Sequence, residues 1–333
     1  MKTATVVKNA GSHFLLSELP HWAPFPAVLR GKVRLKGNTT TNPVAVGDRV
    51  VFSSEAPALS SRPSEASGEI SRLRATPSAR DDSSIAVITE ILPRSNYIIR
   101  RSTNLSRQSH VIAANIDRAF IIVSLYFPEV KLPFLDRILL TCGVYGIPAT
   151  IVLSKVDLYR GEDPEGVAAF HSIYEGAGYE VIDTSIITGE GIDRIREACK
   201  EGIVLFSGES GVGKSSLVKA VDPALDPKIG DISAAHLQGK HTTSLYEMYP
   251  LSCGGFVIDS PGIRGFGLVD LEKEEISKYF PEMLRYADSC RFVPCTHTHE
   301  PGCAVKAALE RGEISAERYN SYLGMLEEDR KFR

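Results

Sequence analysis

The chain has 333 residues, of which 43% are hydrophobic and 24% are charged, a composition typical of globular proteins. This length exceeds what one hydrophobic core usually supports, so we expect two or three domains. Its apolar runs fall well short of the roughly 18 residues that a transmembrane helix requires, and residues 1–10 lack the apolar centre of a signal peptide. These features argue against a membrane protein, and we expect a cytoplasmic one without a membrane partner.

The net charge of −3 conceals an uneven distribution. Residues 1–110 contain 15 Lys and Arg against 8 Asp and Glu, whereas residues 111–333 contain 23 against 33. A basic front end on an acidic body is compatible with a nucleic-acid-binding domain and equally with scattered, solvated charge.

Short apolar segments separated by turn residues fill the first 100 positions. They predict strands over residues 3–7, 14–16, 27–35, 49–52, 85–92 and 96–100. Residues 53–84 are rich in Ser, Ala, Pro and Arg, so we expect a long mobile loop there. Several short strands predict a small barrel, and the oligonucleotide-binding (OB) barrel is the natural candidate. We interpret the basic residues 100–110 as a linker, either solvated or in contact with RNA backbone.

From residue 116 onward, apolar strands alternate with segments of helical spacing. Strands are predicted over residues 119–125, 149–153, 179–183, 203–206, 244–249 and 255–259, and helices over 134–145, 164–177, 191–200 and from 216. This alternation predicts a parallel sheet covered by helices on both faces. Residues 223–243 have few periodic signals, so we expect a mobile and functional loop there. Residues 271–333 have a helical pattern around a group of cysteines.

A phosphate-binding loop is the strongest motif in the chain. Residues 208–215 read Gly-Glu-Ser-Gly-Val-Gly-Lys-Ser and fit G-x-x-x-x-G-K-[ST] between a predicted strand and a predicted helix. The glycines let backbone N–H groups turn toward phosphate oxygens, and the helix N-terminus adds partial positive charge. We expect Lys214 to reach the β- and γ-phosphates and to support catalysis, and the Ser215 hydroxyl to ligate Mg²⁺.

Two further segments follow predicted strands and suit other parts of a nucleotide. Asp259 is expected to hold Mg²⁺ through water, and Gly262 to offer its N–H to the γ-phosphate. Asp157 can accept hydrogen bonds from guanine N1–H and the N2 amino group, whereas adenine offers neither donor. Lys155 is expected to lay its aliphatic stem over the base. Taken alone, however, residues 154–157 are more typical of a solvated turn at a helix start.

The C-terminal cysteines have metal-ligand spacing. The pattern is C-x4-C-x-H-x5-C, formed by Cys290, Cys295, His297 and Cys303. In a reducing compartment such a cluster indicates a metal rather than disulfides. Three thiolates and one imidazole give a closed tetrahedral zinc site that holds a fold and leaves no position for catalysis. His299 competes with His297 for the fourth position. The remaining cysteines are isolated and predicted to be small core residues: Cys142, Cys199 and Cys253.

The nucleotide-binding segments occur in an unusual order. In most GTPases the phosphate loop comes first and the guanine-reading motif fourth. Here residues 154–157 come first, Thr184 and Ser185 follow as a candidate base-binding loop, and the phosphate loop precedes Asp259. This order is a circular permutation, which a fold with adjacent termini tolerates. With the front barrel and the Cys/His tail, it resembles the RsgA family of small-ribosomal-subunit-dependent GTPases over nearly the whole chain, on residues 208–215, 240–243, 259–262 and 290–303.

The resemblance implies a multidomain protein. Its parts are an OB-fold barrel over residues 1–108, a circularly permuted α/β P-loop GTPase domain over 109–272, and an α-helical zinc domain over 273–333. It implies one structural Zn²⁺ with His297 as the histidine ligand. It also implies a monomer that hydrolyses GTP to GDP and phosphate and assists late maturation of the 30S subunit, in contact with 16S rRNA.

The residues that we expect to bind the nucleotide and Mg²⁺ follow from these motifs. The nucleotide set is Ser154, Lys155, Asp157, Thr184, Ser185, Gly208, Glu209, Ser210, Gly211, Val212, Gly213, Lys214, Ser215, Ser216 and Gly262. The Mg²⁺ set is Ser215, Thr242 and Asp259, with Thr242 preferred to Thr243.

Two positions depart from the usual pattern. The family generally has Asn where this chain has Ser154, and because Ser is shorter and lacks an amide donor, we expect weaker nucleotide binding. Ile263 stands where many GTPases have a water-orienting Gln, so intrinsic hydrolysis is expected to be slow. His241 is either the residue that orients water, through a neutral imidazole, or a surface histidine.

Two other functions remain compatible with these motifs. One is a nucleotide-gated RNA-binding module with negligible hydrolysis. The other is an ATP-driven or RNA-modifying enzyme that uses the same phosphate loop, against which the predicted guanine preference of Asp157 argues.

Overall fold

The computed structural model describes residues 2–29, 43–53, 85–101, 109–225, 247–259 and 271–331. The loops predicted over residues 53–84 and 223–243 lie almost entirely outside these ranges, as do the last residues of the strand predicted over 27–35.

The first five strands close into a barrel. They are β1 (Lys2–Ala10), β2 (His13–Ser17), β3 (Phe25–Leu29), β4 (Arg49–Ser53) and β5 (Ala86–Ile91). They pair in the order β1-β2-β3-β5-β4, and β4 pairs back to β1. Alternate side chains, among them Val6, Leu16, Val50 and Ile88, form one buried cluster inside. This arrangement confirms the predicted OB barrel.

The interpretation of residues 100–110 as a linker is wrong at both ends. β6 (Tyr97–Arg101) pairs antiparallel with β7 (Ser109–Ala114), and Arg100 lies opposite His110. A strand ladder is built from backbone hydrogen bonds. Polar residues can therefore form one even where their sequence does not alternate between apolar and polar positions. Ala113 of β7 also bridges to Val46, which ties this pair of strands to the barrel.

A six-stranded sheet forms the centre of the molecule. Its order is β10 (Glu180–Thr184), β9 (Ala149–Ser154), β8 (Arg118–Val123), β11 (Ile203–Gly208), β13 (Phe256–Asp259) and β12 (Glu247–Pro250). The strands are parallel except for β12, which is antiparallel to β13. Lys8 of β1 pairs with Glu247 of β12, so the barrel and the central sheet are continuous.

Helices cover both faces of this sheet, as predicted. α1 (Leu132–Val144) and α2 (Pro164–Ala177) pack on one face, and α3 (Ile192–Ala198) and α4 (Lys214–Val221) pack on the other. Successive side chains of β8 alternate between the two cores, with Ile121 in the first and Phe120 and Ile122 in the second.

Residues 271–331 form a smaller helical region. Its helices are α5 (Lys273–Ile276), α6 (Pro281–Ala287), α7 (Ala304–Glu310) and α8 (Ala316–Lys331). Leu140 of α1 joins the core that these helices bury, beside Phe280, Val305 and Tyr322. None of the helices within the described residues combines the length and apolar character that a bilayer-spanning helix needs.

A buried arginine attaches this region to the central sheet domain. Arg318 of α8 is 1% exposed, and its Nη1 lies 2.7 Å from Oδ1 of Asp136 in α1. Its Nε lies 2.7 Å from Oε1 of Glu282 in α6, and its guanidinium carbon lies 4.6 Å from the ring centre of Phe280. Burial raises the pKa of Asp136 although Arg318 acts to lower it. The ionised carboxylate therefore depends on this guanidinium.

We predict that Arg318→Met lowers the free energy of unfolding by about 3–5 kcal/mol, because two buried carboxylates lose their common partner. Urea denaturation measures the change. The matched control is Arg311→Met, since Arg311 pairs with Glu313 at the surface, where the side chains are 54% and 41% exposed. We expect a loss below about 1 kcal/mol for the control. Equal losses in the two variants would contradict the prediction.

Candidate functional site

The phosphate loop connects the end of β11 to the start of α4. Gly208 lies so close to β8 that a Cβ atom there would stand 2.5 Å from Ile122 O. Gly213 has a φ of +93°, a left-handed conformation that glycine adopts without steric cost. The loop therefore ends at the N-terminus of α4, with Lys214 and Ser215 in the first helical turn.

The other predicted members of the loop differ in accessibility. Val212 is buried, Glu209 is half-buried, and the exposed members are Ser210, Gly211, Ser215 and Ser216.

Strand register brings the separate motifs to one edge of the sheet. Gly208 of β11 pairs with Ile122 of β8, and Thr184 of β10 pairs with Ser154 of β9. Asp259 ends β13, the other neighbour of β11. Because these strands are parallel, the segments after their carboxyl ends lie on the same edge, where open α/β sheets bind ligands.

Residues 154–158, which we call the recognition turn, contact the phosphate loop directly. Lys155 has a φ of +62°, and its Nζ donates to Gly211 O at 2.7 Å and also to Phe127 O. Asp157 is exposed on the single 3₁₀ turn Val156–Leu158. Asp157 and Lys214 therefore lie on the same edge of the sheet, an arrangement that a single bound nucleotide requires.

Ser154 is buried, and its hydroxyl contacts the phosphate loop. Its Oγ lies 2.7 Å from Val212 O in the loop and 2.9 Å from Val123 O at the end of β8. The hydroxyl has a single proton to donate and lies within hydrogen-bond distance of both carbonyls, so it joins β8, β9 and the phosphate loop. The hydroxyl is thus engaged with the protein backbone.

Residues 184–190, which we call the base loop, close on themselves. Ser185 Oγ accepts from the N–H groups of Ile187 and Thr188 at 3.2 and 3.1 Å, and Ser185 N donates to Glu190 O at 3.1 Å. Thr184 is buried, and its hydroxyl donates to Leu153 O at 3.3 Å. Ser185 therefore shapes the loop with its side chain.

Residues outside the motifs also reach this edge. Phe127 follows β8, and its carbonyl accepts from Lys155, while its ring is 55% exposed. Tyr159 follows the recognition turn and contacts it through its hydroxyl. The sequence could have indicated Phe127 through its position just after β8. Every segment that follows a parallel strand of this sheet lies at the same edge.

Several predicted residues fall outside the described parts of the chain. They are His241, Thr242 and Gly262, together with Thr243 and Ile263. Asp259 is described through its backbone as the last residue of β13. The roles assigned to these residues stay predictions.

The cysteine cluster has the geometry of a metal site. The ligand atoms of Cys290, Cys295, His297 and Cys303 all lie within 4.8 Å of one another. The distance between Cys290 Sγ and Cys303 Sγ is 3.9 Å, and these sulfurs lie 3.6 and 3.5 Å from His297 Nδ1. Tetrahedral bonds of about 2.3 Å to sulfur and 2.0–2.1 Å to nitrogen give separations of about 3.8 and 3.5 Å. These residues therefore suit a tetrahedral ion such as zinc.

Neighbouring groups shape the cluster independently of an ion. The hydroxyl of Tyr319 in α8 donates to His297 O at 2.6 Å, and Tyr322 donates to Thr296 O at the same distance. Although burial disfavours the charged form, hydrogen bonds from Thr296 and its neighbours lower the pKa of Glu300 to about 2. His299 is exposed and outside the cluster, so the structure brings together the set with His297.

The isolated cysteines differ from one another. Cys142 and Cys199 are buried as predicted. Cys253 is only partly buried, with its thiol 3.6 Å from Cys199 O, and it packs against the core that contains Cys199 without being enclosed in it. It lies in the turn between β12 and β13 rather than on a strand or helix.

We predict that Ser154→Ala weakens GDP binding about five- to tenfold, because Val212 O in the phosphate loop and Val123 O at the end of β8 lose a buried donor. Titration calorimetry with GDP measures the change. The control is Ser252→Ala, which should leave GDP affinity unchanged. The Ser252 hydroxyl donates to Asp222, beyond the C-terminal end of α4 and away from the phosphate loop. Unchanged GDP affinity in Ser154→Ala would show that the brace does not shape the site.

We predict about one zinc ion per chain in protein purified under reducing conditions. Cys295→Ser should lose the ion and lower the thermal midpoint, since metal binding contributes to folding of such regions. Cys253→Ser removes a thiol outside the cluster, so this variant should keep the zinc ion and the thermal midpoint of the wild type. Metal analysis by mass spectrometry tests this, and a protein that folds to the same stability after chelation would contradict it.

Comparison with known proteins places the chain in a family. The family model described as RsgA GTPase matches residues 91–269. The small ribosomal subunit biogenesis GTPase RsgA of Bacteroides fragilis strain YCH46 is 42% identical over 330 residues, covering 98% of both chains. The protein of the same name from Flavobacterium psychrophilum is 41% identical over 328 residues, covering 98% of this chain and 93% of the relative.

Solved structures agree with this assignment. The crystal structure of YjeQ from Thermotoga maritima is 29% identical, with a TM-score of 0.74 and 98% of each chain covered. The fold also matches that of YloQ, described as a circularly permuted GTPase, with a TM-score of 0.70 at 24% identity, covering 100% of this chain and 96% of that one. The chain therefore belongs to the RsgA family of circularly permuted GTPases.

Proposed function

We propose that this protein is a GTPase stimulated by the small ribosomal subunit and that it assists late maturation of the 30S particle. The observation that carries the proposal is the contact of the recognition turn with the phosphate loop, through Lys155 and Gly211. Relatives named small ribosomal subunit biogenesis GTPase that are 42% identical supply the ribosomal role. The basic balance of residues 1–110 supports 16S rRNA as a partner of the barrel. We propose a monomer that works in the cytoplasm.

Guanine would be recognised by the exposed carboxylate of Asp157. Two charge-assisted hydrogen bonds from N1–H and the N2 amino group are worth about 1.5–3 kcal/mol each. Adenine would leave this carboxylate without a donor, which favours GTP over ATP. The stem of Lys155, already held against the phosphate loop, would lie along the base.

The phosphates would be bound by the loop between β11 and α4. Backbone N–H groups at the start of α4 would donate hydrogen bonds to the phosphate oxygens, and Lys214 would neutralise the charge of the β- and γ-oxygens. Ser215, Asp259 and Thr242 would hold Mg²⁺. The ion would neutralise negative charge as the γ-phosphoryl group is transferred to water.

Hydrolysis would depend on a residue near the γ-phosphate that orients the attacking water. Ile263 has no polar group for this task, so we assign it to His241, whose neutral imidazole can accept a hydrogen bond from water. The cysteine cluster, with four protein ligands, would hold one structural Zn²⁺ and take no part in the chemistry.

Phosphate release from GTP, with and without purified 30S subunits, tests the proposal. We expect slow turnover alone and a clear increase with 30S subunits. Lys214→Ala should abolish turnover, and His241→Ala should lower the stimulated rate by about 100-fold or more while leaving GDP affinity unchanged. Absence of stimulation by 30S subunits would instead support a nucleotide-gated RNA-binding module, and normal stimulation of His241→Ala would remove His241 from the mechanism.

A further inference from the structure

Tyr159 folds back onto the recognition turn that precedes it. Its hydroxyl donates to Ser154 O at 2.6 Å, and its side chain is 2% exposed. Burial raises the pKa of Tyr159 to about 12, so the hydroxyl keeps its proton near neutral pH and acts as a donor. The ring also packs edge to face against Tyr126 at 5.7 Å. The turn is therefore closed at both ends by one side chain.

This closure matters because the turn contains a strained residue. Lys155, directly after Ser154, has a φ of +62°, which is uncommon for residues other than glycine. Such conformations persist when the surroundings fix the backbone on both sides. Tyr159 fixes the peptide before Lys155, and the contact of Nζ with Gly211 O fixes its side chain.

Arg160, the next residue, connects the recognition turn to the base loop. Its Nη2 lies 2.6 Å from Asp183 Oδ2, and its Nη1 lies 2.8 and 2.9 Å from the two carboxylate oxygens of Glu190. Asp183 immediately precedes the base loop and Glu190 ends it, so one guanidinium holds both ends. Such multidentate contacts fix geometry as well as supplying energy.

The base loop returns to the sheet through a glycine that has no room for a side chain. Gly191 has a φ of +73°, and a Cβ there would stand 2.1 Å from Asp183 O. The backbone after Glu190 therefore passes directly against the end of β10, which holds the Glu190 side chain within reach of Arg160.

We infer that Tyr159 and Arg160 are positioning residues that set the distance between the recognition turn and the base loop, and thereby determine selectivity for guanine. The inference rests on the proposed role of Asp157 in base recognition. Hydrogen bonds weaken steeply with misalignment, so a displaced turn loses base contacts before it loses the phosphate contacts made by the separate loop after β11. Neither side chain belongs to the motifs that identify GTPases.

The ratio of affinities for GDP and IDP measures this selectivity, because hypoxanthine lacks the 2-amino group of guanine. We expect Tyr159→Phe and Arg160→Gln each to weaken GDP binding about fivefold, the equivalent of one lost hydrogen bond, and to affect IDP less. The ratio should therefore fall in both variants. A purely structural role would lower the thermal midpoint and leave the ratio unchanged, an outcome that would overturn the inference.

Two matched controls make the same chemical changes elsewhere in the domain. Tyr174→Phe removes a buried hydroxyl that donates to Asp136 at 3.0 Å. Arg194→Gln removes an ion pair with Glu180, at the opposite end of β10 from the base loop. Both controls should keep the GDP to IDP ratio of the wild type, and a fall in either of them would count against the inference.

Asp157→Asn distinguishes the positioning role of Tyr159 and Arg160 from the proposed recognition of guanine by Asp157. We expect this variant to abolish most of the preference for GDP over IDP. If the preference survives in Asp157→Asn, the proposed recognition of guanine fails, and the inference fails with it. If it is lost there but retained in Tyr159→Phe and Arg160→Gln, only the positioning role is overturned.

Discussion

The parallel pairing of four neighbouring strands, β8, β9, β10 and β11, is the constraint on which the rest of the structure depends. Because these four strands are parallel, each of them begins at one edge of the sheet and ends at the opposite edge. The chain therefore returns to the same edge after each helix. The phosphate loop, the recognition turn and the base loop each follow one of these strands, so they meet there whatever their order along the chain. A circular permutation leaves the ladder intact for this reason.

Elements beside the site also connect to the outer regions of the molecule. β13, which ends at Asp259, pairs with β12, and β12 pairs with β1 of the barrel next to the ion pair of Lys8 and Glu247 at 2.8 Å. The barrel is therefore one strand removed from the predicted Mg²⁺ ligand. On the other side, α1 follows the segment after β8 and carries Asp136, the partner of Arg318 in the C-terminal region. The barrel and the C-terminal region are both joined to elements that border the edge of the sheet where the phosphate loop lies.

The C-terminal region illustrates how a small folding unit is stabilised. Residues 271–331 have limited apolar surface to bury, and units of this size commonly need a metal or a partner domain. Here the cysteine cluster is held by hydroxyl groups of α8, the same helix that buries Arg318 against α1 and α6. One helix thus connects the predicted metal ligands to the central domain.

The sequence alone determined the features that depend on local chemistry. The phosphate loop, the alternation of strands and helices, the permuted order and the ligand spacing around Cys290 are each contained within short segments, where backbone geometry and residue type are directly linked. Tertiary structure decided what depends on distant contacts. It showed that residues 100–101 and 109–110 belong to paired strands, that Ser154 braces the phosphate loop, and that Arg318 bonds to Asp136, 182 positions away. Such partners leave no periodic signal, because they are selected by the folded backbone and not by sequence spacing.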